Sequence, residues 1–128
     1  MERADYESDL APVVAEYGSG VVPYFSLASG FLTGKYRTQA DLSGKTRGLS
    51  VGKYLNERGL AVLAALDEVA ANVKSKPASV ALAWLKAQPG ITAPIASATE
   101  EKQLEDLAAA ATLELDEASI RKLTDASA

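Results

Sequence analysis

Two short apolar runs, residues 20–25 (GVVPYF) and 91–95 (ITAPI), constrain this chain most. The first has no helical spacing and is bounded by glycine and serine, so it reads as a short strand buried on both faces, and the second reads as another short apolar strand. The sequence between them carries helical patterns instead of a hairpin turn. Antiparallel neighbours need only a tight connection, whereas parallel strands need a long crossover, which is right-handed. The expectation is therefore an α/β fold with two short parallel strands and about five helices. Two strands make a poor sheet by themselves.

The helices are legible from spacing and end signals. Over residues 5–17, acidic residues fill the first turn, Leu10, Val13, Val14 and Tyr17 form an apolar stripe, and Gly18 supplies the stop; Pro12 fits if it lies near the first turn. Residues 35–54 lack periodicity and read as a long surface excursion. Asn56 is the predicted cap of a helix whose Leu60, Leu63, Ala64, Leu66, Val69, Ala70 and Val73 recur at three- and four-residue spacing. Pro77 suits the first turn of a helix through residue 88, with Val80, Ala81, Trp84 and Leu85 inward and Pro89-Gly90 at its end. Thr99 is the predicted cap of a helix bearing Leu104, Leu107, Ala108 and Ala111. Asp116 opens the last helix, with Leu115 and Ile120 spaced as a hydrophobic staple.

Composition excludes several chemistries. Of 128 residues, 48% are apolar and 23% charged, as in one globular domain spanning 1–128. The chain holds neither cysteine nor histidine, which rules out disulfides, thiolate or imidazole metal sites and His-based triads within it. A formal charge of −4 without a basic run argues against nucleic acid or anionic membrane as partners. No apolar segment reaches the roughly 18 residues of a membrane span, and the acidic start lacks a signal-peptide core, so the expected location is cytoplasmic. Gly44-Lys45-Thr46 is not a Walker loop, because Gln39 stands where that motif needs glycine.

Residues 21–37, VVPYFSLASGFLTGKYR, couple the first predicted strand to a Ser/Gly-rich turn ending in lysine. Small residues let backbone N–H groups approach a phosphate closely, and lysine adds a point charge. This stretch resembles the end of the seventh strand and the following loop in aldo-keto reductases, where tyrosine-serine-proline-leucine, two small residues and glycine precede a leucine-threonine-glycine-lysine-tyrosine tail. Tyr24, Leu27, Gly30, Leu32, Thr33, Gly34, Lys35 and Tyr36 match. Residues 79–107, through VALAWLKAQPGITAPIASATEEKQLEDL, carry the same resemblance. It implies the C-terminal portion of a TIM (β/α)8 barrel, from the helix after strand six to the end. A whole barrel takes about 250 residues, and this chain has about half that.

The resemblance implies that Tyr24 stacks on a nicotinamide, and that Phe25, Ser26, Leu27, Gly30 and Lys35 follow the ribose and pyrophosphate of NADPH (NADP). Arg47 matches a basic residue of the cofactor-covering loop. Ala96, Ala98 and Lys102 fall at the adenosine end near the 2′-phosphate, and Glu105 and Asp106 match the pair that holds the adenine amino group. Phe25-Ser26 departs from the usual Ser-Pro, Ala96 from the usual glycine, and Ala98 from a phosphate-binding side chain. Read without the resemblance, Tyr24 is a packing residue, Lys35 a solvated lysine, and residues 99–111 an amphipathic helix with a charged outer face.

Family members reduce carbonyls with a tyrosine acid assisted by lysine, aspartate and usually histidine, all from early strands, and the resemblance assigns none of those positions here. The expectation is a segment that carries cofactor-binding loops for aldehyde or ketone reduction and has no turnover alone. The alternative is a non-enzymatic, self-associating interaction module. Severed strands would expose unpaired edges and apolar stripes, which predicts a homo-oligomer.

Overall fold

The computed structural model describes residues 1–128. A π-helical turn, Tyr6–Leu10, leads into α1, Ala11–Tyr17. The Ala11 amide reaches back to the Tyr6 carbonyl, and Pro12, which has no amide to donate, follows directly. Gly18 closes α1 in the left-handed conformation, as its position predicted. The stripe on this helix is not buried, however: Leu10, Val13 and Tyr17 are exposed. Nothing in the chain packs over that face except at its edge, where Val14 and Tyr6 approach Gly90.

The two predicted strands reduce to a single parallel bridge between Val21 and Ile91. The Val21 amide donates to the Gly90 carbonyl at 3.2 Å, and the Thr92 amide donates to the Val21 carbonyl at 2.8 Å. The next rung would need amide hydrogens at positions 23 and 94. Both are proline, so both bonds are missing and the ladder stops. The Ile95 amide instead reaches the Pro23 carbonyl at 3.1 Å. Direction and adjacency are as expected; strand length is not. Burial of the first strand on both faces is also corrected, since Val22 is half exposed.

Residues 35–54, expected as an irregular excursion, contain a 3-10 turn, Gln39–Leu42, and a short helix α2, Gly48–Gly52. Thr38 and Asp41 form a capping box on the first. Val51 is fully buried and ties this segment to the core.

The core lies around α3, Glu57–Asn72, and α4, Pro77–Lys86. Asn56 caps α3 as predicted, its side-chain oxygen accepting from the Gly59 amide at 2.9 Å. The buried face of α3 is Val62, Leu63, Ala65, Leu66, Val69 and Ala70, while Leu60 and Ala64 look outward. α4 is buried from Ala78 to Ala83 because α3, α5 and the 3-10 turn Ala28–Thr33 surround it. Phe31, from that turn, is completely buried and meets Tyr54 at 5.5 Å between ring centroids.

α5, Glu101–Thr112, starts one residue later than predicted. Glu100 is its cap, and Thr99 donates its amide to Gln103 instead of receiving a helix amide. Its predicted apolar stripe is also corrected, for Leu104 is 60% exposed and Ala110 is the one buried residue. Small residues on α4 draw α5 in closely enough for the Ser79 hydroxyl to donate to the Asp106 carbonyl at 2.6 Å. Lys86 donates to the Ala111 carbonyl at 2.8 Å and so caps the far end of α5. α6, Glu117–Ala126, is capped by Asp116 through the Ser119 amide as predicted, and it packs on α3 through Leu123. No helix is long and apolar enough to cross a membrane.

Candidate functional site

The Val21–Ile91 bridge sets the site. Both extended segments run the same way, and the bond from Ile95 to Pro23 brings their ends together. Tyr24 follows the first end directly and Ala96 follows the second, so two turns leave one edge side by side. One carries Lys35 and the other leads into α5 with Lys102 in its first turn.

The first turn is tightly coiled. Ser26 is buried and donates its hydroxyl to the Pro23 carbonyl at 2.8 Å, so the hydroxyl first serves the turn itself. Ala28, Ser29 and Gly30 all have positive φ, of 49°, 59° and 95°. Two of these are not glycine, a costly backbone state that persists only where packing enforces it. Phe31 supplies that packing. Tyr24 and Phe25 project outward, 74% and 70% exposed, in an edge-to-face pair at 5.1 Å. The reading of Tyr24 as a core residue is thereby excluded. Leu27 is half-buried against the core.

Lys35 is exposed and lies near Gly30, within 4 Å of where a side chain there would begin. Its ammonium stands 5.2 Å from the Tyr36 ring centroid, and it has neither ion pair nor hydrogen bond. Arg47 is exposed at the N-terminal end of α2, which packs against the Ala28–Thr33 turn. On the second turn Ala96 and Ala98 are half-buried, while Lys102 and Glu105 are exposed and unpaired. Asp106 is half-buried, and its main-chain carbonyl is the acceptor for Ser79.

Beneath the first turn lies a group of residues that spacing did not single out. Arg37 donates to Asp67 through both terminal nitrogens, at 2.7 and 2.8 Å, and through Nε to the Gly34 carbonyl at 2.8 Å. The hydrogen-bonded Asp67 carboxylate holds the Arg37 guanidinium above its ordinary pKa. The amides of Arg37 and Thr38 both donate to Asp41, which lowers the Asp41 pKa from its ordinary 3.8. Arg37 and Asp67 are 30 positions apart, so only folding pairs them.

An apolar cavity of about 200 Å3 opens behind this turn, lined by Phe25, Ser26, Leu32, Leu66, Trp84 and Leu123 among others. Phe25, Ser26, Ala28 and Leu32 of the first turn form part of its wall, whereas neither Lys35 nor Lys102 borders it.

These turns find a parallel in known proteins. The model of the aldo/keto reductase family matches residues 1–128. The chain belongs to the aldo/keto reductase family. An uncharacterised oxidoreductase of Mycobacterium tuberculosis is 40% identical over 128 residues, covering 98% of this chain and 39% of that protein. An uncharacterised oxidoreductase of Bacillus subtilis is 32% identical, covering 93% of this chain and 35% of its own. A probable aldo-keto reductase of Glycine max is 30% identical, with 95% and 36% covered. The chain thus spans under two-fifths of the length of these curated relatives. Membership of an aldo/keto reductase family implies a portion of a TIM barrel and a nicotinamide cofactor for the parent fold.

Proposed function

We propose that this chain is the C-terminal segment of an NAD(P)H-dependent aldo-keto reductase, contributing cofactor-binding loops without the catalytic tetrad. The observation that carries the reading is the pair of turns leaving one edge of a parallel bridge, each bearing a cation with no ion pair. The residues suit a dinucleotide. Tyr24 and Phe25 offer exposed aromatic faces for a planar ring. The left-handed bend at Ser29 and Gly30 keeps side-chain bulk away from Lys35, leaving room for a pyrophosphate. Lys102, in the first turn of α5, stands where helix dipole and ammonium both favour a phosphate, with Ala96 and Ala98 beside it. Glu105 and Asp106 supply acceptors for an adenine amino group, and Arg47 lies on the helix that packs against the first turn.

The cofactor supplies hydride for an aldehyde or ketone in the parent enzyme. This chain binds and orients it, and the tyrosine acid and its partners lie outside the sequence here. Isothermal titration with NADPH is expected to show binding that falls about tenfold on Lys35→Gln or Lys102→Gln, the usual cost of a charged hydrogen bond. Absence of binding at millimolar NADPH would remove the cradle.

A second reading, a self-associating interaction module, draws on the apolar side chains left in solvent at Leu10, Val13, Tyr17, Val22 and Leu104. It requires that neutralising Lys35 and Lys102 leave NADPH affinity unchanged in that same titration.

A further inference from the structure

We infer that Arg37 is a positioning residue: it locks the Gly34–Tyr36 turn onto α3 through Asp67 and so sets where the Lys35 ammonium stands. This rests on the cradle reading and deepens it.

An exposed ion pair by itself does little. Here the geometry is different, because one guanidinium makes three hydrogen bonds to two separate elements. Its terminal nitrogens fork onto Asp67 of α3, and its Nε holds the Gly34 carbonyl one residue before Lys35. The main chain is fixed as well, by the Arg37 amide on Asp41. Tyr36, between Lys35 and Arg37, is buried. Lys35 is therefore flanked on both sides by held backbone, and its ammonium rests 5.2 Å from the centroid of the buried Tyr36 ring with no anionic partner. A point charge gains specificity for an anion when its stem cannot wander, and a lysine in place of Arg37 cannot make the fork and the Gly34 bond together. Gly34 belongs to the device: its φ is +79°, and an added side chain would stand 2.6 Å from an Arg37 nitrogen that the fork prevents from moving away.

The test uses the full chain, with NADPH and inorganic pyrophosphate as probes. The variants are Lys35→Gln, Arg37→Lys and Asp67→Asn, with amide hydrogen exchange as the second readout. Arg37→Lys and Asp67→Asn are expected to weaken both probes roughly tenfold, in the direction of Lys35→Gln. They are also expected to speed exchange at the hydrogen-bonded amides of Gly34 and Arg37 while α3 stays protected. If Lys35→Gln weakens binding and the other two variants bind as the unaltered chain does, the inference is overturned and the cradle stands. If the unaltered chain binds neither probe, the cradle reading fails, and exchange decides the clamp: unchanged exchange at Gly34 and Arg37 overturns it, faster exchange upholds it.

Discussion

Phe31→Ala is expected to lower the unfolding free energy by about 3–5 kcal/mol, measured by urea denaturation. Domains of this size typically hold about 5–15 kcal/mol in total, so the variant sits near the edge of folding. The ring has no solvent exposure, meets the Tyr54 ring at a 37° tilt, and borders the start of α3 near Gly59. Removing it empties the space between the 3-10 turn and α3, and that space cannot collapse without moving the left-handed residues Ala28 and Ser29. The turn that bears Gly30 and Lys35 is anchored in the core through this side chain, so NADPH affinity is expected to fall with stability. Phe31→Leu keeps most of the volume and is expected to cost less than about 1.5 kcal/mol, with affinity largely retained. Equal losses in the two variants would show that packing at Phe31 does not hold the turn.

Gly59→Ala carries a prediction whose sign separates two physical effects. On helix propensity alone, alanine is better than glycine inside a helix by about 1 kcal/mol. Packing argues the reverse. A side-chain carbon at position 59 would fall on the Tyr54 main-chain carbonyl oxygen and lie 3.1 Å from the Phe31 ring. The obstruction is backbone, so it cannot swing aside, and the Gly59 amide is also held by Asn56. The first turn of α3 must shift, breaking the cap or the Phe31 contact. The expected result is destabilisation of at least about 1–3 kcal/mol. A stabilised Gly59→Ala variant would mean that α3 starts with more room than the Tyr54 carbonyl leaves it.

Helix ends were the most legible part of this chain because their chemistry is local. Asn56 and Asp116 accept amides three residues on, and Gly18 turns left-handed, each as its residue type demands. Thr99 shows the limit of such reasoning. A threonine followed by two glutamates satisfies the cap pattern, yet its own amide found Gln103 and the next residue, Glu100, became the cap. The apolar stripes of α1 and α5 were equally plain and remained unburied at Leu10, Val13, Tyr17 and Leu104. Periodicity tells which face is apolar, not whether anything covers it.

Of the candidate site, the residue types were readable and their relations were not. Lys35, Lys102 and the small residues around them stand out in one dimension, as does each proline of the two extended segments. That Pro23 and Pro94 would meet on the same rung depends on register, a property of two strands together. The Arg37–Asp67 fork likewise spans 30 residues, with nothing in the spacing to announce it. Local sequence determined the caps of α3 and α6, the left-handed stop at Gly18, and which side-chain chemistries the chain lacks, because those depend on groups a few bonds apart. The tertiary structure alone decided that the ladder ends after one bridge and that Arg37 ties the lysine turn to Asp67. Each of these requires two distant segments to approach within hydrogen-bonding range, and only the packing of α3 and α4 brings them there.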